Sequence, residues 1–148
     1  MAPVNLYRIP IRGWNKCLHE AAAFEGRGEY AAAAILDASA AVEWWFRNDP
    51  PVLRIPTPVG YLEPDFVYQA RRDGVDVFGA LEVKGEIFWD GEGSEPRIKA
   101  EAAGRWVAAV NAAADDRSQW EFAVVLDTDA VSAGSLEELR KNALFANP

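Results

Sequence analysis

The chain has 148 residues, half of them hydrophobic, and six are tryptophan. That length suits one domain built on a single core, and the apolar content excludes a disordered chain. The 23 acidic and 15 basic residues leave a net charge of −8, which argues against tight, unaided binding to nucleic-acid phosphates, because that affinity comes from Lys and Arg. The lone Cys17 offers no internal disulfide, which fits a reducing cytoplasm. Residues 1–10 lack the apolar run of a signal peptide, and no stretch is apolar for long enough to span a bilayer. The expectation is a single cytoplasmic domain over residues 1–148 with no membrane partner.

Residues 14–23 predict a helix, broken by Gly26 and Gly28. The alanine-rich segment 29–40 predicts the next one. Residues 42–47 predict a strand, stopped by Asn48-Asp49-Pro50-Pro51. Residues 52–55 predict a short edge strand crowded by prolines. Two longer strands are expected over 65–71 and 75–84, followed by a loop over 85–96. A helix over 97–111 begins after Pro96, which suits a helix start. A strand over 120–126 follows, and Ser135-Leu136-Glu137-Glu138 has the spacing of a capping box opening a last helix. From residue 29 onward the order is αβββαβ plus a helix, an α/β chain without internal repeats. His19 is expected on a helix surface, Trp44, Trp45, Trp106 and Trp120 in the core, and Glu101 paired with Arg105 one turn away.

The Asp73-Gly74 dipeptide is the strongest local signal, since a two-residue type I′ turn needs φ > 0 at both central positions. With those two residues as the turn, Arg72 faces Val75, and stepping outward along both strands brings Asp65 opposite Glu82. Directly opposed residues point to one face, with Cβ atoms roughly 4.5–5.5 Å apart. Lys84, two residues past Glu82, shares that face. Two carboxylates so close repel unless a proton or cation lies between them, and a divalent ion with oxygen ligands is the natural occupant. Singly, each residue has a plainer reading: Asp65 caps a turn after Pro64, and Glu82 and Lys84 are solvent-face neighbours.

Pro64-Asp65 followed by Glu82-Val83-Lys84 resembles the PD-(D/E)XK nuclease superfamily. The closer resemblance is to the endonuclease domain at the end of type III restriction subunits and related helicases. It rests on Tyr61, Pro64-Asp65-Phe66, Leu81 to Gly85, Lys99, Ala102-Ala103, Trp106-Val107 and Ala109-Val110-Asn111. Upstream, Trp44-Trp45, Arg47 and Asn48 also look like that family, so the resemblance spans about residues 24–127. The short motif is common by chance; the ordered set of matches carries the weight.

The resemblance implies a restriction-endonuclease-like α/β fold, with a mixed central sheet flanked by helices. It also implies a Mg²⁺-dependent DNA endonuclease, with Mn²⁺ as a substitute ion, acting in prokaryotic defence, restriction or DNA processing. Asp65 and Glu82 would ligate one or two ions, and the Val83 carbonyl would add a ligand. Such an ion lowers the pKa of a bound water and screens the phosphate, while Lys84 would orient that water or stabilise the growing charge. Related nucleases place a glutamate on the helix before the first strand, and Glu29 matches by its spacing to Leu36-Asp37. Where the family shows a small polar residue a few positions earlier, this chain has Gly26-Arg27-Gly28, so Glu25 and Glu20 remain alternatives. Lys99 shares a helix face with Ala103, Trp106 and Val110; it either snorkels toward a phosphate, with Arg97 nearby, or stays solvated.

The domain it resembles is usually attached to an ATP-driven motor, and this sequence has no G-x-x-x-x-G-K-[ST] loop. The expected partners are therefore DNA and a helicase or ATPase that delivers the chain, or further copies of itself. The alternative is a non-catalytic nuclease-fold subunit that serves assembly or DNA positioning. Ile87-Phe88-Trp89, an apolar triplet in an acidic loop, fits a lid, a partner-binding patch or a buried anchor. A G-x-S-x-G elbow and a Cys/His cluster are both absent, which speaks against a small-molecule hydrolase or a zinc site.

Overall fold

The computed structural model describes residues 3–85, 89, 93–115 and 117–147. A short 3₁₀ turn (Leu6–Arg8) and a two-residue pairing of β1 (Ile11–Arg12) with β2 (Ala21–Ala22) precede helix α1 (Arg27–Ala38) and strand β3 (Val42–Arg47). A small hairpin of β4 (Ile55–Thr57) and β5 (Gly60–Leu62) comes next, then β6 (Phe66–Arg72) and β7 (Val75–Lys84). Helix α2 (Glu95–Ala113) crosses to β8 (Ser118–Leu126), followed by α3 (Asp127–Ser132), α4 (Leu136–Lys141) and β9 (Phe145–Ala146). The main sheet has five strands in the order β3–β6–β7–β8–β9. Only β7 and β8 run parallel, as a strand–helix–strand crossover requires, so the fold is α/β with a mixed central sheet.

The turn between β6 and β7 is the one the sequence predicts. Asp73 and Gly74 have φ of 52° and 79°, and Arg72 faces Val75 at one end of a ladder that runs without slip to Phe66 opposite Leu81. Strand alternation then sorts the side chains. Phe66, Tyr68, Leu81, Ala123 and Val125 pack with Trp45 under α1. Ala80, Phe122 and Val124 pack on the other face against Ala100, Ala103 and Val107 of α2, with Ile55 and Leu62 of the small hairpin closing the side.

Several expectations change. Residues 14–23 are not a helix. Their backbone bonds go instead to the edge of β3, where Lys16 O accepts from Trp45 N at 3.1 Å and Leu18 N donates to Trp45 O at 2.9 Å. Asp37 fixes this arrangement by accepting from the Asn15 and Lys16 amides and from the Trp45 indole. Residues 52–55 do not form an edge strand of the main sheet. The Asn48 carbonyl oxygen takes the Val52 and Leu53 amides at 2.7 and 3.1 Å, and the strand starts only at Ile55, pairing with Leu62. His19 sits in the exposed loop before β2, its ring 5.9 Å from that of Phe46. Of the four tryptophans expected inside, Trp45 is fully buried; Trp44, Trp106 and Trp120 are half-buried. Glu101 and Arg105 are exposed and form no ion pair with each other. Ser135 does cap α4, accepting from Glu138 N at 3.1 Å, but the Glu138 carboxylate returns to Gly134 N at 2.7 Å, one residue short of the usual box. Among the described residues, no helix is long and apolar enough to cross a membrane.

Candidate active site

Asp65 lies one residue before β6, and the ladder that pairs Phe66 with Leu81 carries it opposite Glu82. Past the end of β6 its side chain takes over from the missing strand: Asp65 Oδ2 accepts the Val83 amide at 2.8 Å. Its backbone is fixed from β3. Asn48 N and Arg47 Nη1 donate to Asp65 O at 2.8 and 3.0 Å. Asn48 is buried and uses its whole side chain, donating to Leu53 O and Pro64 O, both at 2.9 Å, while accepting two amides. The Pro64-Asp65 segment is therefore held from both sides, by the end of β3 and by β7.

Glu29 approaches from the first turn of α1, where a carboxylate suits the helix dipole. Arg47 Nη2 lies 3.0 Å from Glu29 Oε1 and 3.6 Å from Asp65 Oδ1. All three side chains are at most 15% exposed. Of the two alternative glutamates, Glu20 is exposed and pairs with Arg12, while Glu25 lies next to Glu29, its amide donating to Glu29 Oε1 at 3.3 Å, but its exposed carboxylate pairs with Arg8 at 2.7 Å. Burial raises the pKa of Glu29, and the Asp65 charge adds to the rise against the opposing pull of Arg47. Glu82, 6% exposed, is pushed well above the carboxylate range, first by burial, then by the charge of Asp65 and a hydrogen bond shared with it; Lys84 opposes the shift. Glu29 and Asp65 thus share the Arg47 guanidinium, while Glu82 has Lys84 as its opposing charge.

Lys84 and Glu82 line a cleft of about 360 Å³ on the α2 side of the sheet, together with Tyr61, Trp89 and Lys99. Val83 points the other way. Its side chain packs toward the core under α1 and, with Gly28, Glu29 and Asp127, lines a second cavity of about 420 Å³. Gly28 is required there, because a Cβ would fall 2.6 Å from Asp127 Cβ. Lys99 reaches the cleft while paired with Glu95 at 3.2 Å. Arg97 does not line it; its guanidinium lies 5.0 Å from the Trp89 ring centroid. Ile87 and Phe88 lie outside the described residues, and Trp89 packs half-buried against the α2-side core.

The oxygen-only donor set suits a hard divalent cation, and burial beside the Asp65 charge raises both Glu29 and Glu82. As the side chains stand, no three His, Cys, Asp or Glu groups among the described residues are gathered tightly enough to hold an ion, and Glu29 is turned to Arg47. Arg47 and Asn48 belong to the family resemblance in the sequence but carry no assigned part in the site there. Their signal was a charged and an amide residue closing a strand otherwise rich in aromatics, just before two prolines. Compared with family models, with curated proteins and with solved structures, the chain matches none.

Proposed function

We propose that this chain is a Mg²⁺-dependent DNA endonuclease of the PD-(D/E)XK type, with Mn²⁺ as an alternative ion. The observation that carries the reading is the unslipped β6–β7 register, which brings Asp65 opposite Glu82 at the strand ends, with Lys84 beside Glu82 in one cleft that Asp65 does not line. The element order from α1 through β3, β6, β7, α2 and β8 supports a restriction-endonuclease-like core. Asp65 and Glu82 would hold the ion, with the Val83 carbonyl as a further ligand and Glu29 as the third acid. The ion's contribution, once held, is to acidify a coordinated water and offset phosphate charge. Lys84 would donate to the attacking water or to a non-bridging phosphate oxygen, and Lys99 would meet a neighbouring phosphate. Arg47 holds the Asp65 carbonyl and balances the acids until the ion shares that role. A setting in cytoplasmic prokaryotic defence or DNA processing is part of the same proposal. The net charge of −8 makes delivery by a helicase or ATPase partner, or by self-assembly, the expected route to DNA, since either raises local concentration.

A second reading, a non-catalytic subunit that positions DNA or assembles a larger machine, is favoured by one observation: Arg47 already pairs with both Glu29 and Asp65. Plasmid nicking separates the two. In Mg²⁺ or Mn²⁺, with or without neighbouring-gene proteins, wild type is expected to nick and EDTA to stop it. Lys84→Ala is expected to lose about 10²-fold or more of the rate while keeping its fold. Equal rates for wild type and Lys84→Ala would remove the catalytic role, and silence of both in every context would leave the scaffold reading.

A further inference from the structure

We infer that the cleft beside Glu82 and Lys84 takes one unpaired nucleotide with its base stacked on Tyr61, so that the chain prefers single-stranded or frayed DNA to closed duplex. The inference deepens the nuclease reading and rests on it. The cleft's volume of about 360 Å³ lies at the small end of ligand pockets, the scale of a single nucleotide rather than of a double helix. Its mouth carries Tyr61, 51% exposed, although most of the chain's other aromatic rings are buried or half-buried. The ring is braced in place: the Arg54 guanidinium lies 4.1 Å from its centroid, and Glu63 holds Arg54 at 3.0 Å. Among the described residues no second ring or cation stacks on Tyr61, which leaves an aromatic face open for a stacked base. Trp89, also at the cleft, is backed by Arg97 in the same manner. Lys84 and Lys99 line the cleft together with Glu63, Glu82 and Glu95, and Lys99 is paired with Glu95, so affinity there comes from stacking more than from phosphate charge.

A base inside a duplex has both faces covered by its neighbours and offers none to Tyr61, whereas an unpaired base does. Stacking of this kind is tolerant of sequence. It also suits a chain of net charge −8, because a stacked base adds affinity without a counterion-dependent phosphate contact.

The test is fluorescence anisotropy of labelled DNA with the whole chain in Ca²⁺, an ion that also takes oxygen ligands. The probes are a short oligothymidylate, a fork with frayed ends and a closed hairpin duplex, each read across a salt series. Oligothymidylate and fork are expected to bind about tenfold more tightly than the hairpin, with a shallow salt slope. Tyr61→Ala is expected to weaken both by about fivefold or more, the equivalent of losing one stacked base. Tyr61→Phe should retain binding, and the hairpin should be indifferent to either change. Tyr61 is exposed enough that neither variant threatens folding. Equal binding of hairpin and oligothymidylate, or an unaffected Tyr61→Ala, overturns the inference; metal-dependent nicking would in that case still stand. Failure of every DNA to bind would overturn the inference and leave the nuclease reading, which expects DNA to be delivered by a partner, to the nicking assay.

Discussion

At the scale of single residues, the acids share positive charge unequally. Arg47 serves Glu29 and Asp65, while Glu82 feels the charge of Asp65 and has Lys84 as its opposing charge. A divalent ion held by Asp65 and Glu82 would favour the ionised form of Glu82, which burial disfavours. Calorimetric titration with Mn²⁺ is expected to show weak binding to wild type and none to Asp65→Ala/Glu82→Ala. Equal binding by both proteins would remove the metal from the proposal. Titration at two buffer ionisation enthalpies should also show protons released on binding, since a carboxyl must ionise to become a ligand.

At the scale of elements, the site is the junction of a strand end and a hairpin. Asn48 makes four side-chain hydrogen bonds in a buried place and joins β3 to the segment before β6. Asn48→Ala is expected to destabilise the chain by about 1–3 kcal/mol, because it removes the partner of two amides and two carbonyls, of which the bond to the Pro64 carbonyl is buried. Urea denaturation measures this, and a loss within a few tenths of a kcal/mol would show that solvent replaces those bonds. The hairpin itself was legible in the sequence: Asp73-Gly74 has a backbone preference that dictates register, and strand alternation then settles which side chains meet Asp65. The segment 14–23 was not legible, because its conformation follows from distant partners, Asp37 and the edge of β3, rather than from its own composition. The same holds for Arg47: its guanidinium is placed by acids from α1 and from the segment before β6, and a single strand's sequence does not show that meeting. Helix α3 and strand β9, six and two residues long, carry too little periodicity to be read in advance.

At the scale of the whole molecule, the buried acids couple stability to pH. Glu29 and Glu82 both have raised pKa values in the folded, ion-free chain. Unfolded, they titrate near about 4.3, so above that pH the folded state binds more protons than the unfolded one. Their contribution is fully present below about 4.3 and is lost as pH rises through their folded values. In EDTA the Tm is therefore expected to fall as pH rises from about 5 to about 8, and Glu82→Gln, which cannot ionise, should flatten the fall. Added Mg²⁺ should raise the Tm more at the higher pH, where it meets ionised carboxylates. Self-repulsion at net charge −8 pushes in the same direction as the acids, so the comparison with Glu82→Gln is what isolates the site. A Gln variant with the same slope as wild type would mean that Glu82 is not a source of the dependence.

The two-residue turn at Asp73-Gly74 has a kinetic meaning as well. It makes the meeting of Asp65 and Glu82 a product of local chain closure, which in isolated hairpins takes about 1–10 μs. The parallel pairing of β7 with β8 must instead wait for the whole of α2 to cross over, a slower kind of contact. The residues proposed to cut DNA would then be assembled early, before the sheet that shelters them is complete. Gly74→Val, which forces a branched side chain into positive φ, is expected to slow refolding. Val125→Ala in the late-docking β8 should chiefly speed unfolding. Stopped-flow refolding and unfolding in urea would read both limbs, and equal slowing of refolding by the two variants would show that β8 is in place when the hairpin forms.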